Sequence, residues 1–285
     1  MNDDTSEGEL VNKRERQAER ALGQKGILKI DGCSMAYQEH GDADSPPVVL
    51  IHGFPFSHKM WEHQVLALAA RYRVITYDLR GLGESLDETN HFTLEILVDD
   101  LLGLLDHLQI RKAAMVGFSM GGYIALRAME REPTRFSMLV LADTQSAADS
   151  DEAKLKRTKA LRSLQQAGID VYGDEFLKSA ISSATLETKR SLVANLKSMI
   201  SSNSMAGLRG ALFAMMSRTD TTQSLRNITV PTLVVVGSED RITPVAQSEI
   251  LKKSIPNARL ALIAESGHMS NLENPEAFNS ALLSF

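Results

Sequence analysis

The chain has 285 residues, 43% of them hydrophobic, with one cysteine and a formal net charge of −5. This length and apolar content suffice for a large buried core, which favours a folded globular protein over a disordered one. The negative charge gives no basic surface excess, so nucleic acid is excluded as an expected partner. With a single cysteine, Cys33, an intrachain disulfide is impossible and nothing indicates a metal site.

Residues 1–24 differ in composition from the rest of the chain, because they are dense in charged side chains and contain few apolar ones. Such a segment cannot bury a core of its own, so we predict a charged N-terminal extension outside the fold. The chain shows no apolar run long enough to cross a bilayer and no signal-peptide pattern at its start. We therefore expect no membrane partner and a cytoplasmic location. The oligomeric state is left open.

From residue 25 onwards, predicted strands and helices alternate. An antiparallel pair of strands at 27–30 and 33–39 precedes six buried apolar strands, predicted at 48–52, 74–77, 114–118, 138–142, 232–237 and 259–264. The helices between them are predicted at 59–70, 94–108, 120–131, 245–253 and 275–283. Alternation of this kind predicts an α/β fold with a mainly parallel eight-stranded sheet and helices on both faces.

Residues 145–222 interrupt this alternation, because they contain no strand pattern between the sixth and seventh predicted strands. The segment instead shows amphipathic helices, predicted at 152–166, 185–200 and 204–216. We predict an inserted helical cap at 145–222 and a core made of 25–144 and 223–285. Most apolar positions of the cap are expected to pack between its helices, and the others to roof a partly enclosed pocket. No substrate-binding residue is assigned.

A glycine-rich turn at 117–122, with the sequence Gly-Phe-Ser-Met-Gly-Gly, joins the strand at 114–118 to the helix that follows it. A serine with glycine two residues before and two after it, at a strand-to-helix turn, is the pattern of a nucleophile elbow. The turn must be sharp so that the hydroxyl projects from the sheet edge, and side chains larger than hydrogen would collide on either side. Ser119 is therefore the predicted catalytic nucleophile.

A serine hydroxyl needs a base to take its proton and an acid to orient that base. Asp240 follows the strand at 232–237, and His268 follows the strand at 259–264, so both lie at the carboxyl edge of the sheet. The order serine, acid, histidine is the one expected for a triad on such a fold. Asp143, after the strand at 138–142, is the rival acid, although we favour Asp240. Glu239 is expected to face solvent.

The remaining catalytic requirement is an oxyanion hole, which the end of the strand at 48–52 can supply. There His52 and Gly53 form a turn, after which the backbone N–H of Phe54 can point at a developing oxyanion. The second predicted donor is the backbone N–H of Met120, the residue after the nucleophile. His52 precedes the nucleophile in the chain, and we interpret it as a hydrogen-bonding residue that shapes the loop.

Taken together, five motifs resemble the landmark motifs of the α/β-hydrolase superfamily. They are His52-Gly-Phe, Asp78-Leu-Arg-Gly-Leu-Gly-Glu-Ser, the turn at 117–122, Gly237-Ser-Glu-Asp and Gly267-His. The chain from 27 to 285 is similar to the small carboxylesterase and 3-oxoadipate enol-lactonase-like branch. The resemblance implies a carboxylic ester hydrolase that cleaves a small-molecule ester or lactone through an acyl-serine, with no cofactor and no metal.

The same motifs occur in enzymes with other activities, so the resemblance leaves alternatives for the function. C–C bond hydrolases and cofactor-free haloperoxidases or perhydrolases share the triad. A catalytically idle ligand-binding receptor is a further alternative, which the complete triad and elbow disfavour. Related dehalogenases and epoxide hydrolases carry aspartate at the nucleophile position, and Ser119 excludes those activities here.

Overall fold

The structure is a computed structural model that describes residues 23–89 and 91–285. The predicted N-terminal extension therefore lies outside the described residues, except for Gly23 and Gln24, and Gln24 already begins the first strand. In chain order the strands are β1 Gln24–Ile30, β2 Cys33–His40, β3 Pro47–Ile51, β4 Arg73–Tyr77, β5 Leu86–Asp87, β6 Ala113–Phe118, β7 Phe136–Ala142, β8 Thr232–Gly237 and β9 Arg259–Ile263.

These strands form one sheet with the order β1-β2-β4-β3-β6-β7-β8-β9, and β5 pairs with β2. The pairs from β4 through β3, β6, β7 and β8 to β9 are parallel, whereas β2 is antiparallel to each of its neighbours. The predicted mainly parallel sheet is confirmed, with nine strands in place of the eight predicted. The additional strand β5 was not predicted, because two residues are too short to show an alternating pattern.

Helices cover both faces of the sheet. In chain order they are α1 Glu62–Leu68, α2 Leu94–His107, α3 Met120–Arg131, α4 Asp151–Ala180, α5 Ser183–Thr188, α6 Arg190–Ser201, α7 Met205–Met216, α8 Val245–Ser254, α9 Ser270–Glu273 and α10 Pro275–Leu283. Short 3₁₀ turns lie at His58–Trp61, Pro133–Arg135 and Thr222–Asn227. Within the described part of the chain, no helix combines the length and apolar content needed to cross a membrane.

Strand β3 shows why the sequences of the central strands are continuously hydrophobic. Val49 and Ile51 pack in a buried cluster with helices α2, α3 and α8 on one face of the sheet. Val48 and Leu50 pack in a second cluster with α1 and α10 on the other face. Because successive side chains of a strand point to opposite faces, a strand covered on both faces must be apolar at every position.

Residues 145–222 contain four helices, α4 to α7, and no strand. The predicted helix at 152–166 extends to residue 180, with a break at Gly168, where φ is 86° and ψ is 174°. The single helix predicted at 185–200 is wrong, because Lys189, with φ −105° and ψ 57°, separates α5 from α6. Neither glycine nor proline marks this second break, so the sequence shows no sign of it.

Candidate active site

Ser119 lies between the end of β6 and the start of α3, and its backbone has φ 51° and ψ −113°. A positive φ is unfavourable for a side chain larger than glycine, and such strained residues concentrate at functional sites. The serine N–H donates to the carbonyl of Ala142 at 2.9 Å, which ties the turn to the neighbouring strand β7. The serine is 7% exposed, so it is largely shielded from solvent.

The glycines of the turn are required by close approach of the backbone. A Cβ added at Gly117 would lie 2.5 Å from the carbonyl oxygen of Gly121. A Cβ added at Gly121 would lie 2.2 Å from the carbonyl oxygen of Ile51, at the end of β3. Contacts this short are repulsive, so any larger residue would push the helix away from the sheet and move the serine.

A continuous chain of hydrogen bonds joins three side chains at this edge. The Nε2 atom of His268 lies 2.9 Å from Ser119 Oγ, and its Nδ1 atom lies 2.8 Å from Asp240 Oδ2. Because the carboxylate accepts a hydrogen bond from Nδ1–H, the proton of the neutral ring is held on Nδ1, and Nε2 is free to accept the serine proton. The ring of His268 also packs against that of Phe118, with ring centroids 5.2 Å apart and an interplanar angle of 56°.

Donors in the loop before α8 hold the Asp240 carboxylate in place. The backbone N–H of Ile242 at 2.8 Å and that of Thr243 at 3.0 Å donate to Oδ1, and the Thr243 hydroxyl donates to Oδ2 at 2.7 Å. Burial alone would raise the pKa of Asp240, but the interaction with His268 and these hydrogen bonds lower the pKa below its ordinary value. Asp240 is therefore ionised beside the imidazole.

Asp143, the rival acid, is fully buried at the end of β7 but is bonded to other groups. Its Oδ1 accepts the backbone N–H of Gly237 at 2.9 Å, and its Oδ2 is hydrogen-bonded to the hydroxyl of Ser270. Burial, together with the nearby Asp240 carboxylate, raises the pKa of Asp143 well above its ordinary value. Glu239 is exposed, in the position predicted for it.

The predicted oxyanion loop begins at His52, whose ring is buried and held at both nitrogens. Nε2 accepts the backbone N–H of Leu79 at 2.9 Å, so Nδ1 carries the proton and donates to the carbonyl of Gly53 at 3.0 Å. Burial lowers the pKa of His52, which favours this neutral form. Since the peptide is planar, holding the Gly53 carbonyl also fixes the direction of the Phe54 N–H.

The amides of Phe54 and Met120 have no hydrogen-bond acceptor among residues 23–89 and 91–285. Gly53 brings the first of them close to the serine, because a Cβ added at Gly53 would lie 3.1 Å from Ser119 Cβ. Met120 is the first residue of α3, where backbone N–H groups have no partner within the helix. Both amides are therefore available to a ligand oxygen.

Comparison with known proteins gives the family. A family model described as "alpha/beta hydrolase fold" matches residues 46–275. The chain belongs to the α/β-hydrolase family. The superfamily recognised from the sequence motifs is thereby confirmed, and so is the fold class.

Individual relatives of this α/β hydrolase include an enol-lactonase, an esterase and a bromoperoxidase. The chain is 29% identical to 3-oxoadipate enol-lactonase 2 of Acinetobacter baylyi, over 90% of this chain and 95% of that protein. A thermophilic esterase from Thermogutta terrifontis has a TM-score of 0.86 and 32% identity, covering 92% of this chain and 97% of that one. A bromoperoxidase from Bacillus anthracis has a TM-score of 0.82 and 29% identity, covering 92% and 98%.

One group of side chains in this hydrolase has the residue types of a metal site. Ligand atoms of Asp143, Asp240 and His268 lie within 4.8 Å of one another. Their oxygen and nitrogen atoms are engaged in the hydrogen bonds described above, with peptide N–H groups and hydroxyls that a cation would have to displace. The cluster therefore fits a buried hydrogen-bond network better than a metal centre.

Aromatic side chains of α4 lie directly against the predicted oxyanion loop of the hydrolase. The ring of Tyr172 lies 6.3 Å from that of Phe54, measured between centroids, and Phe176 lies 6.3 Å from Phe54 and 6.0 Å from Phe56. Phe176 belongs to the helical apolar pattern visible in the sequence, whereas the contact of either ring with the loop was not predicted. An apolar surface thus adjoins the oxyanion loop.

Asn203, between α6 and α7, is a further residue that sequence reasoning missed. Its side-chain oxygen accepts the backbone N–H of Gly83 at 2.8 Å, and its amide nitrogen donates to the carbonyl of Pro55 at 2.8 Å. Asparagine after a helix is common in capping, so the sequence carried no signal of this role. The side chain connects residues 145–222 to the oxyanion loop.

Proposed function

We propose that this α/β hydrolase is a serine hydrolase that cleaves a small-molecule carboxylic ester or lactone through an acyl-serine intermediate. The observation that carries the proposal is the unbroken hydrogen-bonded chain from Ser119 through His268 to Asp240, at a strained strand-to-helix turn. In this assignment Ser119 is the nucleophile, His268 the general base and Asp240 the acid that orients it. The relatives named as an enol-lactonase and an esterase support the substrate class.

In the first step, Ser119 Oγ bonds to the substrate carbonyl carbon while His268 Nε2 takes the hydroxyl proton. The carbonyl π electrons move to oxygen, and the N–H groups of Phe54 and Met120 stabilise the resulting oxyanion. Asp240 stabilises the imidazolium without taking its proton. When the tetrahedral intermediate collapses, the C–O bond to the alcohol breaks and His268 returns the proton to the leaving oxygen.

In the second step, water replaces the alcohol. His268 takes a proton from the water as its oxygen attacks the acyl carbon, and the same two N–H groups receive the second oxyanion. Collapse breaks the bond to Ser119 Oγ, which regains its proton from His268, and the carboxylic acid leaves. With a lactone the alcohol and the acid are parts of one product, so a single hydroxy acid is released; an enol lactone releases an enol acid, which tautomerises to the keto acid.

The helical segment 145–222 is proposed to be a cap over the site. Tyr172 and Phe176 of this segment lie against the loop that carries Phe54, which supports an apolar roof beside the reacting carbon. An enclosed site excludes bulk water and strengthens the electrostatic interactions within it. The same proposal places the protein in the cytoplasm and includes neither a cofactor nor a metal ion in the reaction.

Labelling with a fluorophosphonate probe tests the proposal most directly, because the reagent reacts only with an activated serine. The expected result is one adduct, located on Ser119 by peptide mass spectrometry, and no adduct in Ser119→Ala or in heat-unfolded protein. A folded wild-type protein that remains unlabelled would favour the idle-receptor alternative and reject the hydrolase.

Substrate panels then separate the activities that share a triad. We expect hydrolysis of p-nitrophenyl esters, aryl esters and lactones to exceed cleavage of a dienoate-type diketone. The bromoperoxidase relative makes peroxide-dependent halogenation the second activity to assay, with acetate and hydrogen peroxide supplied. Faster halogenation than ester hydrolysis at matched enzyme concentration would replace the esterase assignment with the haloperoxidase one.

A further inference from the structure

Glu273, the last residue of α9, is a buried carboxylate that the proposed mechanism does not use. It is 1% exposed, and its Oε1 atom accepts the N–H groups of Gly267 at 2.9 Å and Met269 at 3.3 Å, the two residues that flank His268. Its Oε2 atom accepts the N–H of Ser182 at 2.8 Å. One carboxylate therefore bonds the histidine loop and the junction between α4 and α5.

The same junction also contacts the histidine loop and the loop that carries Asp240 through other groups. The backbone N–H of His268 itself donates to the carbonyl of Ala180 at 2.7 Å. The Arg241 guanidinium, next to the proposed catalytic acid in the chain, donates to the carbonyl of Ile181 at 2.8 Å. A Cβ added at Gly267 would lie 2.8 Å from the Ile181 carbonyl carbon, so the two backbones are in direct contact.

Three consecutive N–H groups, those of residues 267, 268 and 269, are thus all accepted by Glu273 or by Ala180. An unpaired buried N–H is costly, so these bonds determine where the loop backbone lies. The imidazole of His268 extends from the middle of this stretch. A shift of about 1 Å in a catalytic group can reduce turnover about a hundredfold.

We propose that Glu273 is a positioning residue for His268, and that it couples the position of the α4–α5 junction to the geometry of the histidine. This inference rests on the proposed role of His268 as general base. A carboxylate suits the position because three N–H donors converge on it and both of its oxygens accept hydrogen bonds. A glutamine offers one accepting oxygen and one NH₂ group, so at least one of the three N–H groups would face another donor.

Glu273→Gln is the main test, because it keeps the size of the side chain, and Glu273→Ala is the stronger perturbation. Lys189→Ala is the matched control. The exposed Lys189 ammonium, between α5 and α6, bonds the backbone carbonyl of Glu273, so this variant removes another link between α9 and residues 145–222 and leaves the bonds of the three loop N–H groups in place.

Ester turnover and the imidazole proton resonance of His268 are measured on each full-length variant, after circular dichroism has checked folding. In Glu273→Gln we expect kcat to fall about tenfold with KM within about twofold, and in Glu273→Ala we expect kcat to fall about a hundredfold. The low-field resonance of the proton between His268 Nδ1 and Asp240 should shift or broaden in both variants. Lys189→Ala should retain the wild-type kcat and resonance.

A folded Glu273→Gln variant with wild-type kcat and an unchanged His268 resonance would overturn the proposal. Loss of folding in both Glu273 variants would overturn it too, since Glu273 would then serve the fold and not the histidine. If the wild-type protein hydrolyses none of the substrates, the proposed function is rejected independently of Glu273, and the role of Glu273 is then judged from the His268 resonance alone. A shifted resonance then still supports positioning by Glu273, and an unchanged one rejects it.

Discussion

The carboxyl edge of the sheet and the helical segment above it are built on different principles. At the edge, Ser119, Asp240 and His268 each follow a strand, and backbone pairing sets the strand ends side by side. Gly117 pairs with Ile51 on one side of β6, and the other strands continue in parallel register to β9. The positions of the three residues are therefore set by hydrogen bonds between strands.

In residues 145–222, by contrast, no strand pairing fixes the helices, and side-chain and close backbone contacts decide where they lie. A Cβ added at Gly207 in α7 would lie 1.6 Å from the carbonyl oxygen of Gly81, so this helix rests directly on a core loop. Asn203 and Glu273 supply polar contacts between the two regions. Residues that follow successive strands can thus be recognised in the sequence as candidate catalytic residues, whereas the contacts of a packed helical insert leave no pattern there.

The largest expected effect is at the edge itself. Ser119→Ala should reduce ester turnover by about a thousandfold or more, because a member of a cooperating triad is removed. Folding should be unaffected, since the hydroxyl is small and alanine keeps the Cβ. Steady-state kinetics with p-nitrophenyl acetate, alongside the thermal midpoint, checks both points. Near-normal turnover in a folded variant would refute the assignment of the nucleophile.

The next effect separates the two acids of the edge. Asp240→Asn should lower kcat about a hundredfold to ten-thousandfold, because an amide that donates to Nδ1 favours the wrong imidazole tautomer. Asp143→Asn serves as the control, since Asp143 is bonded to Gly237 and Ser270 and not to the ring. Turnover is compared at equal folded fraction. A larger loss in the Asp143 variant would reverse the choice of acid.

A smaller effect concerns the helical segment. If residues 145–222 enclose the pocket, added methylenes gain burial only until the pocket is full, and overpacking then costs about 1–3 kcal/mol. Catalytic efficiency on p-nitrophenyl esters should therefore peak between about acetate and hexanoate and fall about tenfold or more for long chains. A preference for chains of about twelve carbons would mean that the segment is open, and the cap proposal would be withdrawn.

The smallest effect concerns the stability that Asp143 contributes. Burial, reinforced by Asp240, raises its pKa above the ordinary 3.8, so the folded protein binds this proton more tightly than the unfolded chain does. The stabilisation that protonated Asp143 contributes is therefore fully present below the pKa that this side chain has in the unfolded chain. It is lost as the pH rises from there through the pKa of the folded protein.

Asp143→Asn mimics the protonated side chain and should remove this pH dependence. Turnover should stay close to wild type, and the free energy of unfolding relative to wild type should increase between about pH 4 and about pH 7. Urea midpoints at both pH values measure the difference. A relative stability that decreases with pH would show that Asp143 is ionised in the folded protein.

Most elements of the core could be predicted because their signals are local. The run 232–237 is apolar throughout, and it forms β8 as expected because both of its faces are covered. The last helix begins at Pro275 after the cap Asn274, whose side chain accepts the N–H of Ala277. The break at Lys189 and the two-residue strand β5 were missed, since neither leaves a periodic pattern in the sequence.

The sequence alone predicts the succession of strands and helices along the chain and the residue type that follows each strand. Hydrophobic periodicity and steric need for glycine act over a few residues, so Ser119, Asp240 and His268 were recognisable as candidates. Only the tertiary structure decided that His268 bonds Asp240 and not Asp143, and that Glu273 reaches both the histidine loop and Ser182. Such contacts join residues far apart in the chain, and they exist only once the sheet and the helices above it have packed.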